Sequence, residues 1–135
     1  MSNELRILVV EDDADLRESI LSVLEEHYAV DGAHDGEEAL ARLNAHGFDV
    51  VLLDLSMPRL DGTGFLVRLA EVGVDTPVIV TSAARDVRQR TTGLRVAAVL
   101  PKPFGMDALV AEIERVAAAQ GKGTAGRPSA TSMPA

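Results

Sequence analysis

The chain has 135 residues, enough for one domain with a substantial core, and its lack of cysteine excludes disulfide bonds and thiolate metal sites. Hydrophobic residues make up 47% of it, which is typical of a packed globular fold. Because the sequence shows neither a signal-peptide pattern nor an apolar run of membrane-spanning length, we expect a soluble cytoplasmic protein. The net charge is −8, and in residues 1–120 there are 11 lysines and arginines against 21 acids, a balance of −10 that disfavours direct binding to nucleic acid.

The first part of the chain alternates strand and helix patterns. LRILVV at 5–10 predicts a first strand, and a second, short strand is predicted over 28–33. Apolar residues at helical spacing predict a helix over about 13–26, and its first residue, an aspartate, can cap the first turn. A second helix is predicted over about 37–46, and Gly47 ends it.

The stretch 49–62, DVVLLDLSMPRLDG, contains the most informative strand. Four apolar residues, Val50 to Leu53, run without a break, which is typical of a central strand buried on both faces. The run stops at Asp54, so this carboxylate lies at the carboxyl end of the strand, where open parallel sheets place their ligands. Taken alone, a carboxylate at this point is either functional or a helix cap.

The second part of the chain continues the alternation. The predicted elements are a helix that ends before Gly73, a strand over 78–81, a polar helix near 86–93, a strand over 96–100 and a helix with apolar residues from Met106 to Ala117. Residues 121–135, rich in Gly, Ser, Thr and Pro, predict a disordered tail after a domain over 1–120. Five strands alternating with five helices predict an α/β fold, a doubly wound parallel sheet with helices on both faces.

Polar residues follow the predicted strands at their carboxyl ends. They are Glu11-Asp12-Asp13 after the first strand, Asp54 after the third, Thr81-Ser82 at the fourth and Pro101-Lys102-Pro103 after the fifth. In a parallel sheet these groups gather at one edge, and carboxylates so close together repel one another unless a cation lies among them. Oxygen ligands without histidine or cysteine favour Mg²⁺. A carboxylate, a divalent ion, a hydroxyl and an ammonium group together suit phosphoryl chemistry, with Asp54 as the nucleophile.

Four motifs in this order resemble the receiver domain of two-component response regulators. They are VVEDD, LLDLSMPRLDG, the polar end of the fourth strand and LPKPF at 100–104. The resemblance covers residues 5 to about 119 and implies a flavodoxin-like, CheY-like fold. It implies that a sensor histidine kinase or a phosphotransfer protein phosphorylates Asp54 with Mg²⁺ bound, which changes the affinity for a downstream protein partner. Such a protein is a switch that catalyses its own phosphorylation and slow hydrolysis, not a turnover enzyme.

The resemblance also implies a role for each site residue. Asp54 matches the phosphoacceptor. Asp12 matches the direct metal ligand, Glu11 matches its acidic neighbour, and Ser56 matches the position whose backbone carbonyl completes the metal shell. Lys102 matches the phosphate-binding lysine, which has a cis bond to Pro103. Ser82 matches the hydroxyl position, five residues after the proline that opens the fourth strand. Two alternatives stay open: Asp13 as a metal ligand and Thr81 as the hydroxyl.

Two departures from the family pattern bear on signalling. The segment 93–102 is about two residues short, and Val99 stands where the family usually has a switch aromatic. A valine cannot make the ring movement ascribed to that aromatic. The alternative function is therefore a pseudo-receiver, an unphosphorylated protein-interaction module. A phosphatase with an aspartate nucleophile is disfavoured, because Ser56 stands where its second acid would be and the chain has no cap domain.

Overall fold

The computed structural model describes residues 4–55, 62–82, 91, 93 and 95–120. The strands are β1 (Arg6–Val10), β2 (Ala29–Ala33), β3 (Val50–Asp54), β4 (Val78–Ser82) and β5 (Ala98–Pro101). The helices of the described residues are α1 (Ala14–Leu24), α2 (Gly36–Ala45), α3 (Gly62–Glu71) and α4 (Met106–Ala119). The predicted polar helix near 86–93, apart from positions 91 and 93, and the predicted tail 121–135 lie outside the described residues.

The five strands form one sheet in the order β2-β1-β3-β4-β5, and every neighbouring pair is parallel. The predicted doubly wound α/β sheet is confirmed. The chain passes from β1 outward to β2 and then returns to β3 on the other side of β1, so the winding reverses between β1 and β3. Open α/β sheets bind ligands at the carboxyl ends of the strands beside such a reversal.

Two apolar cores lie on the two faces of the sheet. The core on one face contains buried residues of α2 and α3, among them Ala39 and Phe65, and the other contains residues of α1 and α4, among them Leu24 and Ile113. All five residues of β3 are buried, as predicted for a central strand. The burial of both faces makes the middle of the sheet rigid, so the strand ends hold their side chains in place.

The helix ends follow local hydrogen bonds. Asp13 caps α1, because its Oδ1 accepts a hydrogen bond from the backbone N–H of Leu16 at 3.1 Å. Gly73, with φ +77°, follows the end of α3 in the left-handed conformation that glycine adopts without strain. The predicted start of β5 at 96 was two residues early, because the ladder with β4 begins where Ala98 pairs with Ile79. No described helix is both long and apolar enough to cross a membrane.

Candidate functional site

Three carboxylates meet at the carboxyl edge of the sheet. Glu11 follows β1 and Asp54 ends β3, and both are only 3% exposed, whereas Asp12 is exposed. Their carboxylate oxygens, one from each of the three residues, lie within 4.8 Å of one another. The predicted convergence of these acids is therefore present in the fold.

The sheet register brings the acids together. Val10, the last residue of β1, pairs with Leu53 on one side and with Ala33 on the other. The next residue, Glu11, still donates its backbone N–H to the carbonyl oxygen of Ala33 at 3.0 Å. The acidic residues thus begin where the apolar ladder ends, at the point where the winding of the sheet reverses.

Lys102 brings a basic side chain to the acids of the site. Its Nζ lies 3.2 Å from Oδ2 of Asp54 and 3.7 Å from Oε1 of Glu11. Its backbone N–H donates to the carbonyl oxygen of Ser82 at 2.9 Å, which extends the pairing of β4 and β5. The Lys102–Pro103 peptide bond is cis, as predicted. With its side chain 23% exposed, Lys102 lies between the buried acids and solvent.

Asp13 has a structural position beside this cluster. Besides capping α1, it donates its backbone N–H to Oε2 of Glu11 at 3.2 Å. The group of acids placed to hold a metal ion, among the described residues, consists of Glu11, Asp12 and Asp54 and leaves Asp13 out. The geometry therefore favours the pair Glu11 and Asp12 over the alternative that uses Asp13.

Both candidate hydroxyls are buried at the end of β4. Thr81 is 3% exposed and is the register partner of Asp54, while Ser82 is 1% exposed and lies one residue nearer the carboxyl edge. Because side chains alternate along a strand, the two hydroxyls leave β4 toward opposite faces of the sheet. The position of Ser82 at the edge and the pairing of Thr81 with Asp54 each support one candidate, so the two remain alternatives.

The electrostatics of the cluster suit a cation. Burial and, after it, the negative charge of Asp54 raise the pKa of Glu11 to about 7, against the opposing effects of the Asp13 N–H and the Lys102 ammonium. Three carboxylates within 4.8 Å of one another repel, and a cation among them would relieve that repulsion. Hard oxygen donors without nitrogen or sulfur ligands fit Mg²⁺, which Asp12 and Asp54 would hold directly with Glu11 beside them.

Residues 7–114 match the response regulator receiver domain family. The chain belongs to this family. Response regulator MprA of Mycobacterium avium (strain 104) is 42% identical over 112 residues, which cover 81% of this chain and 49% of that protein. MprA of Mycobacterium tuberculosis (strain H37Rv) matches to the same extent. The chain thus spans about half the length of the curated relatives it matches.

Solved structures agree with this assignment. The receiver domain of the Francisella response regulator 1452 is 30% identical with a TM-score of 0.80, and the match covers 87% of this chain and 99% of that one. Response regulator TrrA of Thermotoga maritima, in complex with Mg²⁺ and BeF, is also 30% identical, with a TM-score of 0.74 and coverage of 83% and 98%. The CheY-like fold and the receiver assignment are therefore confirmed.

Two further residues singled out in the sequence are Ser56 and Val99. Ser56, the predicted carbonyl ligand, lies outside the described residues. Val99 is half-buried in β5 and packs against the core on the α2 and α3 face. A small aliphatic side chain therefore occupies the position at which the family pattern has an aromatic residue.

The sequence reasoning missed one residue of the site. Arg17 of α1 donates from Nη1 to the carbonyl oxygen of Glu11 at 2.7 Å. In the sequence, an arginine beside the apolar face of an amphipathic helix has the ordinary pattern of a solvent-exposed residue. Only the fold brings its guanidinium to the backbone of the acidic segment.

Proposed function

We propose that this receiver domain accepts a phosphoryl group on Asp54 from a sensor histidine kinase or a phosphotransfer protein. The observation that carries the proposal is the placement of the Asp54 carboxylate, 3.2 Å from the Lys102 ammonium and next to the acids Glu11 and Asp12. The entering phosphoryl group brings negative oxygens into a buried site, so the site needs positive charge around that group. Lys102 supplies one such charge, and Mg²⁺ held by the acids would supply another.

The residues would share the chemistry as follows. A carboxylate oxygen of Asp54 attacks phosphorus, the bond to the donor's imidazole nitrogen breaks with its electron pair going to that nitrogen, and an acyl phosphate forms. Lys102 pairs with a phosphoryl oxygen, and Ser82, or alternatively Thr81, donates a hydrogen bond to another. Mg²⁺, when bound, supplies further neutralising charge to the phosphoryl oxygens.

An apolar groove beside the site supports a protein as the donor. The groove has a volume of about 530 Å³. Its lining comes from α1 and from the segment after β5, and includes Leu16, Ile20, Val23, Lys102, Phe104 and Met106. A protein that brings a phosphorylated side chain to Asp54 must cover the surface around Lys102, and an apolar groove there gives it area to bury.

We infer that the phosphorylated domain acts by shifting an equilibrium between conformations and so changes its affinity for a protein partner. In this proposal the domain is a switch with slow autodephosphorylation and not a turnover enzyme. Its acidic charge disfavours direct contact with nucleic acid, so we expect the output to pass through a protein surface. With Val99 in β5, the change must use groups other than a switch aromatic at that position.

Intact-mass spectrometry after incubation with acetyl phosphate and Mg²⁺ tests the proposal. We expect wild type to gain a phosphoryl adduct that disappears when EDTA is added or when Asp54 is replaced in Asp54→Ala. Asp31→Ala is the matched control, because it removes a carboxylate that pairs with Arg42 outside the site. If wild type gains no adduct and does not bind beryllium fluoride, the pseudo-receiver interpretation is the better one.

A further inference from the structure

The backbone of Glu11 is held on two sides by different elements. Its N–H donates to the carbonyl oxygen of Ala33 in β2 at 3.0 Å, and its own carbonyl oxygen accepts from Nη1 of Arg17 in α1 at 2.7 Å. A hydrogen bond from a charged donor is stronger than a neutral one, and this one is partly buried. The two bonds fix both ends of a residue whose side chain lies among the acids.

The hydrogen bond from Arg17 also constrains the backbone at the start of Asp12. The carbonyl of Glu11 and the N–H of Asp12 belong to one planar peptide unit, so holding the carbonyl fixes the direction in which the chain enters Asp12. Asp12 lies two residues beyond Val10, the last residue of β1 in the ladder. Its position therefore depends on the segment between β1 and α1 and less on the sheet.

Gly32 leaves the space that the arginine occupies. A Cβ at Gly32 would lie 3.2 Å from Cδ of Arg17 and 3.0 Å from Cδ1 of Leu21, both closer than ordinary van der Waals contact. Glycine weakens a strand, and its presence in β2 has a reason where another group approaches the backbone closely. The Arg17 stem is such a group.

We propose that Arg17, seated against Gly32, is a positioning residue that sets the affinity of the acidic pair Glu11 and Asp12 for Mg²⁺. The identity of the ion rests on the proposed function; the contacts of Arg17 do not. Loss of the guanidinium frees the carbonyl of Glu11 and lets the plane of the next peptide rotate. The carboxylates then spend less time in the arrangement that holds a cation.

The sign of the effect separates positioning from simple charge. Arg17 carries a positive charge next to the acidic cluster, so its removal should by Coulomb attraction alone strengthen the binding of a cation. Positioning makes the opposite prediction, weaker binding. A merely structural role would lower the melting temperature without a loss of affinity in protein that is still folded.

The experiment measures Mn²⁺ binding by electron paramagnetic resonance, with Mg²⁺ as competitor, on folded and unphosphorylated protein. We expect Arg17→Met, which keeps most of the stem, to weaken binding roughly tenfold, at the low end for residues that orient metal ligands. Arg17→Lys, which can still donate a hydrogen bond, should recover part of the affinity. Arg115→Met is the control, because it removes an arginine paired with Glu112 on the surface of α4.

Gly32→Ala tests the seat of the arginine by an independent route. The added Cβ should displace the Arg17 stem and weaken Mn²⁺ binding less than Arg17→Met does, with no further loss in the double variant. Unchanged or tighter binding by Arg17→Met, while Asp12→Asn abolishes binding, would overturn this inference and leave the proposed function intact. Wild type that binds neither ion would overturn the metal part of the proposed function, and this inference with it.

Discussion

Two acid-rich clusters of this domain contain a glutamate whose pKa moves in opposite directions. At the carboxyl edge of the sheet, burial and Asp54 raise the pKa of Glu11 to about 7. Beside α2, burial also acts to raise the pKa of Glu38, but hydrogen bonds from the His34 backbone and from Arg42 outweigh it and lower the value to about 2. Burial is the largest cause of the raised pKa of Glu11, whereas at Glu38 the hydrogen-bond donors outweigh burial and decide the direction.

The difference separates a glutamate held by hydrogen-bond donors from a glutamate that is buried next to another carboxylate. Arg42 donates to Asp31 and to Glu38 at 3.0 Å each, and His34 adds a further contact to Glu38. In the site, Lys102 faces both Glu11 and Asp54. Hydrogen-bond donors hold Glu38 in its ionised form. The buried Glu11 beside Asp54 lies at the end of the strands, where such a pair of acids is suited to share a cation and Asp54 to receive a phosphoryl group.

The largest expected difference between the clusters comes from removing their cations. Lys102→Met should slow phosphorylation by acetyl phosphate about 100-fold, because the phosphoryl oxygens lose a positioned positive charge. Mg²⁺ should bind to this variant at least as tightly as to wild type, since a competing cation is gone. Arg42→Met should leave the rate unchanged. Stopped-flow or quenched mass spectrometry measures the rates, and a wild-type rate in Lys102→Met would contradict the role of the lysine.

The hydroxyls of β4 should give the next largest effect. Ser82→Ala is expected to lower the phosphorylation rate roughly tenfold, about the worth of one hydrogen bond to a charged group, while Thr81→Val has little effect. The reverse pattern would assign the hydroxyl to Thr81, the register partner of Asp54. Melting temperatures of both variants show whether a loss of rate is a loss of fold.

The raised pKa of Glu11 predicts that the stability of the metal-free protein falls as the pH rises, whereas its affinity for Mg²⁺ increases. Without Mg²⁺, the folded pKa of about 7 exceeds the unfolded value of 4.5, so wild type should lose stability relative to Glu11→Gln as the pH rises from 4.5 through 7. The expected loss is on the order of 1 to 3 kcal/mol. Mg²⁺ affinity should instead rise over that range, because the bound ion favours the ionised carboxylate.

Urea unfolding at pH 5 and pH 8, with and without Mg²⁺, measures both effects. A stability difference between wild type and Glu11→Gln that does not change with pH would show that Glu11 ionises in the ordinary range. Asp49→Asn serves as the control, because Asp49 accepts from the backbone of Arg6 at an exposed position away from the acids.

The smallest effect is expected at the cluster beside α2. Arg42→Met should cost about 1 kcal/mol or less in the free energy of unfolding, because the side chains of Arg42 and Asp31 are each 35% exposed. The lowered pKa of Glu38 means that its contribution is present above pH 4.5 and is lost as the pH falls toward 2. The variant should therefore differ from wild type less at pH 2.5 than at pH 7. A difference that does not shrink would assign the stability to packing of the arginine stem.

Much of this domain could be predicted because its signals are local. The unbroken apolar run before Asp54 predicted a buried central strand, and β3 is buried along its whole length. The acids after β1 and the lysine after β5 were predicted to converge, since strands in a parallel sheet share one carboxyl edge. The capping role of Asp13 was also predictable, because a cap is a contact within three residues of the same chain.

What the sequence alone determined is the order of the elements, their apolar faces and the types of residue at the strand ends. Tertiary structure decided the distances from Lys102 to Asp54 and from Arg17 to Glu11. It also decided that Glu11 is buried while Asp12 is exposed. It also decided that Glu11 and Glu38 ionise differently. Periodicity reports which face of an element is apolar, but pKa values and metal-binding geometry depend on groups brought together from distant parts of the chain.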